Sequence, residues 1–600
     1  MKILGLSIGH DSTACLVIDG KLISAISAER IDRIKKSHNL SWDVIDYVLK
    51  PNGLTIDDID TIAIGAYQPI YNGFVRVFYK KEEMDEYPFN DIHPQFDSLN
   101  IKDNYVEGYG YEIFKYNHFY SPTTTHFSQQ DFVTCNVLLD NKVLKDGIII
   151  NHHLAHAASV FLTSDLKQSA ILSVDASGIE SSNATAFYIG SEDNIQYIGS
   201  PDNMVGNFYN AMTEIFGYGS GLFKAGTMMG AASYGKPSEK IIKNWKKLVQ
   251  PMSHRIPYVD DYTFNLWAAS YIAEKPIKEI YYWRENDLKY LEKRSSNWQY
   301  IHYMIEGNDK VDSLDNFNYA ASAQYVLERT IIESVNNLYD ITEGLNGGNL
   351  CLVGGTFLNC TSNFKTLNEM KFDNLHLYPA CGDDGTAVGA ALYQSVILNK
   401  DGRKKHTISE LCYTGNEYPD LPNGIPYDEE LIAQMLSESK IVAWFQGGSE
   451  FGPRALGHRS FLANPTDSKM KDILNKRVKH REWFRPFAPI VLKERCSEWF
   501  DINVDSPYML YTCPVKQPWL IPAVTHVDGT ARVQTLDKET NEKLYNLIKR
   551  FEDITGVPVI LNTSLNVNGQ PIVETPQEAL ELFHRSDIDA IVIDNKMFIK

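Results

Sequence analysis

The sequence predicts an α/β protein in which one small group of strands occurs twice and a second domain follows. Residues 3–8, ILGLSI, form an unbroken apolar run typical of a buried strand, and the polar turn GHDST leads from it to strands at 14–19 and 21–27. The same order of strand, small polar turn and two strands starts again at residue 170, with AILSVDASG, NATAFYIG and NIQYIGS. Because 600 residues are too many for one hydrophobic core, two or more domains are expected.

Two glycine-rich turns add to this pattern. CLVGGTFLNC at 351–360 and PACGDDGTAVGAALYQ at 379–394 each join an apolar strand to a helix, and a helix N-terminus offers backbone N–H groups to an anion. Together with the repeated strand unit, these turns favour the duplicated sugar-kinase and actin-like ATPase architecture, in which two related lobes enclose a nucleotide. The alternative is two unrelated hairpins within an α/β protein.

The segment NHHLAHAASVFLTS at 151–164 predicts a helix with Asn151 as its N-cap. His152 and His156 are four residues apart, so both project from one helix face and can share a metal ion. His153, three residues before His156, competes for the same role. The alternative is that one histidine packs in the core with its hydrogen bonds satisfied while another is exposed.

Carboxylates near strand ends complete this candidate metal site. Asp175 ends the strand that follows the histidine helix, and Asp383 or Asp384 lies in the later glycine turn. Two imidazoles with carboxylates suit Zn²⁺, Fe²⁺ or Mn²⁺, and an octahedral site with open positions fits best.

A basic segment stands out in a chain whose formal charge is −19: between Arg454 and Arg485 there are nine Lys/Arg against three Asp/Glu. Arginine binds phosphate through two parallel hydrogen bonds and keeps its charge at any working pH, so the cluster predicts a phosphate site. A surface ion-pair network is the alternative. Four of the basic residues are expected on the solvated face of a helix that begins near TDSKM and ends before Pro486, namely Lys469, Lys471, Lys476 and Arg477.

Composition excludes several classes of partner. The overall acidity argues against nucleic acid, and no apolar run reaches the ~18 residues of a membrane span. Eight cysteines are scattered without a CxxC pair, which favours reduced thiols. The sequence therefore predicts a cytoplasmic protein that interacts with neither membrane nor nucleic acid.

Nine motifs occur in the order seen in the NodU/CmcH-type O-carbamoyltransferases, the family that includes the tobramycin and cephem carbamoyltransferases. They are HHLAHAASVF, VGNFYNAMTEIFGYG, TMMGAASYG, GGTFLNC, GDDGTAVGAAL, EFGPRALGHRS, REWFRPFAPIV, RVQTL and NTSLNVNGQPIVETPQEAL. The sequence resembles this family over nearly its whole length, and the block around Arg454 is its most specific part.

The resemblance implies an actin-like, Kae/TsaD-like domain at residues 1–400 and an α/β YrdC-like domain at 401–600. It implies that carbamoyl phosphate and ATP give carbamoyl adenylate in the C-terminal domain. The carbamoyl group then passes to a hydroxyl of a small molecule, such as a natural product or sugar, in the N-terminal domain. The metal is expected to be Fe²⁺, with Mn²⁺, Zn²⁺ and Mg²⁺ as alternatives.

The resemblance also assigns residues. His10 falls at the position of the catalytic base. The alternative is that His10 is a turn residue whose side chain caps the backbone. Asp11, beside it, would orient the acceptor or the imidazole. His152, His156 and Asp383 match the metal ligands. The residues implied to bind carbamoyl adenylate or the nucleotide are Asp175, Gly354, Gly355 and Asn359, and those implied to bind carbamoyl phosphate and ATP are Arg454, His458, Arg459, Lys479, Arg485, Arg532 and Asn562.

Three departures from the family pattern concern the acceptor. The segment 67–147 is longer than usual and rich in Tyr, Phe and Asn, which predicts a surface that stacks on the acceptor or forms a homodimer contact. AER at 28–30 replaces the usual EER, and KAGTMMG lacks the lysine that commonly precedes the MG pair, a place that Lys224 could reach.

Three other functions compete with carbamoyl transfer: a threonylcarbamoyl-transferring tRNA-modifying enzyme, an actin-like sugar kinase, and a non-enzymatic, nucleotide-gated assembly protein. The acidity argues against the first. A sugar kinase accounts for the repeat and the glycine turns but not for the histidine pair or the arginine cluster. The assembly protein predicts concentration-dependent filaments and no consumption of carbamoyl phosphate.

Overall fold

The computed structural model describes residues 1–67, 73–80, 105–108, 131–175, 184–201, 203–245, 249 and 314–600. Within these ranges the strands form three sheets, of eight, five and nine strands. The first two sheets use strands from the part of the chain before residue 400, and the third sheet uses strands from residue 425 onward.

The first sheet has the order β3-β2-β1-β4-β8-β7-β5-β6. Its strands are β1 (Lys2–Ile8), β2 (Thr13–Ile18), β3 (Lys21–Ser27), β4 (Thr61–Tyr67), β5 (Val75–Lys80), β6 (Tyr105–Gly108), β7 (Phe132–Leu139) and β8 (Val143–Ile150). Strand β1 is antiparallel to β2 and parallel to β4. Strands β5 to β7 fall in the aromatic-rich segment and widen this sheet, whereas residues 81–104 and 109–130 of that segment lie outside the described residues.

The second sheet repeats the arrangement of the first. Its order is β11-β10-β9-β12-β13, formed by β9 (Gln168–Val174), β10 (Thr185–Ser191), β11 (Asn194–Gly199), β12 (Asn349–Val353) and β13 (Asn374–Leu377). Strand β9 is antiparallel to β10 and parallel to β12, as β1 is to β2 and β4. The repeated strand unit that the sequence predicts is thus present, although the second polar turn, 176–183, lies outside the described residues.

Helices surround and separate these two sheets. They are α1 (Ala28–Asp32), α2 (Trp42–Leu49), α3 (His152–Thr163), α4 (Val205–Ile215), α5 (Gly221–Ala232), α6 (Glu239–Trp245), α7 (Leu314–Thr342), α8 (Cys360–Glu369) and α9 (Asp384–Leu392). Helix α9 packs on β1 and β4 and also against α3, which packs on β9 and β12. A Cβ at Gly389 would lie 1.8 Å from the carbonyl oxygen of Ala155, so only glycine allows the two helices to approach this closely.

The third sheet has the order β14-β22-β21-β15-β16-β20-β17-β19-β18. Its strands are β14 (Ile425–Pro426), β15 (Val442–Phe445), β16 (Arg459–Ala463), β17 (Ala488–Leu492), β18 (Tyr511–Pro514), β19 (Thr530–Leu536), β20 (Val559–Ser564), β21 (Ala590–Ile593) and β22 (Lys596–Ile599). The accompanying helices are α10 (Ile408–Cys412), α11 (Glu429–Ser437), α12 (Met470–Leu474), α13 (Cys496–Trp499), α14 (Glu542–Thr555) and α15 (Pro576–Arg585). Trp444, Phe445 and Phe461 are fully buried in the core of this unit.

The helix predicted after TDSKM is shorter than expected. Helix α12 is followed by a π-helical turn, Asn475–Lys479, which ends at His480 with φ of 47°. A left-handed residue ends helical hydrogen bonding, so the chain leaves the helix well before Pro486. Lys469 and Lys476 are exposed as predicted, whereas Lys471 and Arg477 are half-buried.

Side chains from the N-terminal part hold the C-terminal unit in place. Arg33 donates to the carbonyl oxygens of Ile572 at 2.7 Å and Pro571 at 2.9 Å, and Asn363 donates to that of Leu510 at 3.0 Å. These hydrogen bonds join the two parts of the chain and keep their facing surfaces together.

All eight cysteines are free and buried, as the sequence predicts for reduced thiols. None of the helices in the described ranges combines the length and the apolar character that crossing a bilayer requires.

Candidate functional site

The histidine pair lies on α3 as predicted. The Asn151 side chain caps this helix by accepting a hydrogen bond from the backbone N–H of Leu154 at 3.3 Å. His152 and His156 direct their Nε2 atoms to one point, 3.2 Å apart. His153 lies on another face, where its Nδ1 is 2.8 Å from the Ser173 hydroxyl.

Two carboxylates meet the histidine nitrogens. The Asp175 Oδ2 atom is 3.4 Å from His152 Nε2 and 3.1 Å from His156 Nε2. The Asp383 Oδ1 atom is 3.6 Å and 3.4 Å from the same two nitrogens. All four ligand atoms lie within 4.8 Å of one another.

These four residues fit a divalent metal ion. Ligand atoms about 2.1 Å from a metal are separated by about 3.0–3.4 Å when they are octahedral or tetrahedral neighbours, and the distances between the nitrogens and from them to the carboxylates, 3.1–3.6 Å, are close to that range. Two neutral imidazoles and two carboxylates form a donor set suited to Fe²⁺, Mn²⁺ or Zn²⁺. Asp175 belongs to this group by geometry, alongside the three ligands that the sequence predicts.

The charges within this group stabilise one another. Burial opposes ionisation of Asp175, but hydrogen bonds with His152 and His156 hold the pKa of its carboxyl well below the usual value. Burial likewise opposes protonation of His156, yet Asp175 and Asp383 raise its pKa to about 9. The pocket is therefore built to hold positive charge among its carboxylates.

Asp383 and Asp384 have different surroundings, which separates the two alternatives. Asp383 faces the histidine pair, whereas Asp384 Oδ1 accepts from the Gly385 backbone N–H at 3.1 Å. Burial, followed by the charge of Asp11, raises the pKa of Asp384 to about 7. The geometry thus favours Asp383 as the ligand.

His10 lies beside this group, in the turn between β1 and β2. Its Nε2 atom is 3.5 Å from Asp383 Oδ2 and 3.4 Å from Asp11 Oδ2. Lys36 donates to Asp11 Oδ2 at 2.6 Å. Burial opposes the charge of Lys36, but Asp11 raises its pKa to about 12. Asp11 therefore has a charged partner of its own and holds a fixed position next to the imidazole.

The first glycine turn borders the same place. Gly354 has φ of 105°, and a Cβ there would lie 2.1 Å from the Val174 carbonyl oxygen. A Cβ at Gly355 would lie 3.1 Å from Asp175 Oδ1. Asn359 caps α8 by accepting from Ser362 N–H at 3.0 Å, so its side chain has a local structural role.

A cluster of arginines on the C-terminal unit faces this turn. Arg454 donates from Nη2 to the Leu358 carbonyl oxygen at 2.9 Å. Burial, followed by the nearby charges of Arg454 and Arg485, lowers the pKa of Arg532 to about 9. The Nε atoms of Arg454 and Arg532 are buried without a hydrogen-bond partner among the described residues. The positively charged guanidinium groups of these arginines repel one another, and a bound anion would relieve that repulsion.

Two of the basic residues predicted for this site are instead engaged within the C-terminal unit. Arg459 is fully buried, donates to the carbonyl oxygens of Gln446 at 2.8 Å and Glu574 at 3.3 Å, and lies 3.5 Å above the Phe445 ring. Lys479 donates to Asn566 Oδ1 at 2.8 Å, and burial holds its pKa well below the usual value. Their binding roles stay predictions, and these contacts favour structural ones.

His458 and Asn562, also predicted for the phosphate site, lie at different places relative to the arginine cluster. The His458 ring stacks on Tyr413 at 3.5 Å and has its Nδ1 2.6 Å from the Gly448 carbonyl oxygen. It borders a cavity of about 560 Å³ whose lining includes none of the three clustered arginines. Asn562 donates to the Ala455 carbonyl oxygen at 2.9 Å, next to Arg454.

The sequence did not predict some of the residues that lie next to the histidine–aspartate group and the arginine cluster. Arg481 adds to the arginine cluster, since burial and then the charges of Arg485 and Arg532 lower its pKa to about 9. Lys36 lies in IKKSH at 34–38, a few residues after the AER motif, and this closeness along the chain could have pointed to it. Lys224, whose role was left open, is paired with Glu482 at 3.3 Å.

Comparison with known proteins decides the family. The family model described as "Carbamoyltransferase N-terminus" matches residues 2–392, and that described as "Carbamoyltransferase C-terminus" matches residues 433–600. The chain belongs to the carbamoyltransferase family. The two matched regions of this carbamoyltransferase include the histidine pair and the arginine cluster.

Several relatives are nodulation proteins. Nodulation protein NolNO of Sinorhizobium fredii is 30% identical over 98% of this chain and 79% of its own length. Nodulation protein NolO of Bradyrhizobium diazoefficiens is 31% identical over 74% of this chain and 78% of its own length. Nodulation protein U of the same organism is 27% identical over 95% of this chain and 93% of its own length.

Two solved structures resemble the carbamoyltransferase distantly. An activator of 2-hydroxyisocaproyl-CoA dehydratase from Clostridium difficile has a TM-score of 0.30 at 12% identity, covering 68% of this chain and all of that one. Full-length HypF has a TM-score of 0.27 at 13% identity, covering 66% of this chain and 46% of that one. Scores this low carry no argument about mechanism.

Proposed function

We propose that the chain is an ATP-dependent O-carbamoyltransferase with two reaction centres. The C-terminal domain, 401–600, would make carbamoyl adenylate from carbamoyl phosphate and ATP on a YrdC-like fold. The N-terminal domain, 1–400, would transfer the carbamoyl group to a hydroxyl of a small molecule on an actin-like, Kae-like fold. Membership of the carbamoyltransferase family supports the reaction class.

The activation step suits the arginine cluster. Carbamoyl phosphate, with water, gives carbamate and inorganic phosphate; a carbamate oxygen then attacks the α-phosphorus of ATP, and pyrophosphate leaves. Arg454, Arg485 and Arg532 hold the phosphate oxygens and stabilise the negative charge that shifts between them. Burial and neighbouring arginine charge lower the pKa values of Arg485 and Arg532, which is the expected state of such a site before its anion binds.

The transfer step suits His10. Its imidazole accepts the proton of the acceptor hydroxyl, the oxygen attacks the carbamoyl carbon, and AMP leaves with the electron pair of the broken C–O bond. Asp11, held by Lys36, orients the imidazole. His152, His156, Asp175 and Asp383 would hold a divalent ion, with Fe²⁺ as the expected metal, which when bound polarises a phosphate or carbamoyl oxygen.

One contact supports the proposal that the activation and transfer steps take place close together. Arg454 of the activation centre donates to Leu358, which lies in the same short turn, Gly355–Leu358, that begins against Asp175 of the transfer centre. A negatively charged adenylate formed at the arginines therefore has the metal ligands within one turn of its phosphate.

Pyrophosphate release tests the proposal. Purified protein reconstituted with Fe²⁺ is supplied with ATP, with and without carbamoyl phosphate and with no acceptor present. Release that depends on carbamoyl phosphate supports activation and justifies a screen of hydroxylated small molecules. ATP consumption that ignores carbamoyl phosphate would favour a kinase or an assembly ATPase instead.

A further inference from the structure

The loop that carries Arg454 is wrapped around one carboxylate. Residues 446–458 connect the antiparallel neighbours β15 and β16 without a helix or strand of their own. Backbone N–H groups in such a buried loop need partners from elsewhere. In this loop the side chain of Glu450, which is itself buried, supplies such a partner.

Glu450 Oε1 accepts three backbone hydrogen bonds. The donors are the N–H groups of Leu456 at 2.8 Å, His458 at 2.7 Å and Arg459 at 3.0 Å. The residue is 2% exposed, and its Oε2 is buried without a hydrogen-bond partner among the described residues. Although burial opposes ionisation, the charges of His458 and Arg30 and the bond from Arg459 N–H hold the pKa of Glu450 below its usual value.

Carbonyl groups of the same loop are held from outside. The Leu456 carbonyl oxygen accepts from Gln534 Nε2 at 2.9 Å and from the Tyr413 hydroxyl at 3.0 Å. Arg30, on α1 of the N-terminal part, donates from Nη2 to the carbonyl oxygens of Glu450 and Gly452, each at 3.3 Å. The backbone on both sides of Arg454 is thus fixed, and Glu450 is the internal anchor of that arrangement.

We infer that Glu450 is a positioning residue for the activation step, which it serves by fixing the loop so that the Arg454 guanidinium faces Arg485 and Arg532. This inference rests on the proposed function. A neutral amide would accept the three N–H groups more weakly, and its NH₂ would occupy the buried place of Oε2, an atom without a hydrogen-bond partner among the described residues. The loop would then relax and Arg454 would shift.

The test compares Glu450→Gln in two backgrounds, native and Arg454→Lys, by carbamoyl-phosphate-dependent pyrophosphate release. In the native background we expect the KM for carbamoyl phosphate to rise, and kcat/KM to fall, by at least about tenfold, since misplacement by about 1 Å is costly in an oriented site. In the Arg454→Lys background the same substitution should cost less than about twofold, because coupled residues are not additive. Glu539→Gln, an exposed change in the same unit, is the matched control and should alter neither value.

The outcomes separate the two ideas. If native protein releases no pyrophosphate with carbamoyl phosphate, the proposed function fails. If native protein is active but Glu450→Gln matches it, or loses equally in both backgrounds, the positioning role is wrong. If Glu450→Gln does not fold, judged by its melting temperature, Glu450→Asp keeps the charge with one methylene fewer and is compared in the same two backgrounds with the same criteria.

Discussion

The two oxygens of Asp383 face two different groups: Oδ2 lies 3.5 Å from His10 Nε2, and Oδ1 lies 3.4 Å from His156 Nε2. One carboxylate therefore joins the imidazole proposed as the base to the nitrogens proposed as metal ligands. Burial and the Asp175 charge oppose its ionisation, but His10 and His152 hold the pKa of Asp383 below its usual value. Any change at Asp383 should disturb both groups together.

Replacing Asp383 with Asn should lower metal affinity by at least about tenfold, because a ligand oxygen and its charge are lost. Asp384→Asn is the control, since Asp384 contacts the Gly385 backbone and burial already raises its pKa to about 7. Metal content after reconstitution and desalting is measured for both variants. Equal metal loss in the two would mean that Asp383 is not the ligand.

Arg532 and Arg459 should differ sharply when each is replaced. Arg532→Gln should abolish pyrophosphate release with little change in melting temperature, because its charge is repelled by Arg454 and Arg485 in the free protein. Arg459→Met should lower the free energy of unfolding by about 3 kcal/mol, since it leaves buried carbonyl groups unpaired and removes a cation from the Phe445 ring. Thermal unfolding and pyrophosphate release of both variants are compared. A stable, inactive Arg459→Met would restore a binding role for Arg459.

His458 should make stability depend on pH. Burial lowers the pKa of His458 to about 4, whereas an unfolded histidine titrates at about 6.5. Between these values the unfolded state binds a proton that the folded state does not, so stability falls as pH drops through this window. The loss from pH 7 to pH 5 should be about 2 kcal/mol. His458→Asn should show a correspondingly smaller drop in urea unfolding, and an identical drop in both proteins would contradict the assignment.

Gly354 should be intolerant of alanine. Its φ of 105° and the Val174 carbonyl oxygen, 2.1 Å from a Cβ placed there, predict a loss of more than about 2 kcal/mol for Gly354→Ala. Gly226 in α5 is the control, because a Cβ there meets nothing within 4 Å and alanine favours a helix. The melting temperatures of Gly354→Ala and Gly226→Ala are compared. Equal melting temperatures would show that the turn at Gly354 adapts to a side chain.

The sequence predicted local features well because they depend on near neighbours. The repeated strand unit, the Asn151 cap and the shared face of His152 and His156 all follow from periodicity and spacing. The approach of His10 to Asp383 could not be predicted that way, since it depends on how α9 packs on β1. The burial of Arg459 was also unpredictable, because a charged side chain suggests exposure until the carbonyl groups of Gln446 and Glu574 are placed around it.

Direct detection of carbamoyl adenylate tests the central division of labour between the two centres. Native protein, His10→Ala and Arg454→Ala are each mixed with ATP and carbamoyl phosphate without acceptor. Each mixture is quenched with acid-free solvent and examined by mass spectrometry. The account predicts adenylate and pyrophosphate from native protein and from His10→Ala, and neither product from Arg454→Ala. Adenylate formed by Arg454→Ala, or lost in His10→Ala with its metal retained, would contradict the assignment of activation to the arginine cluster and of transfer to His10.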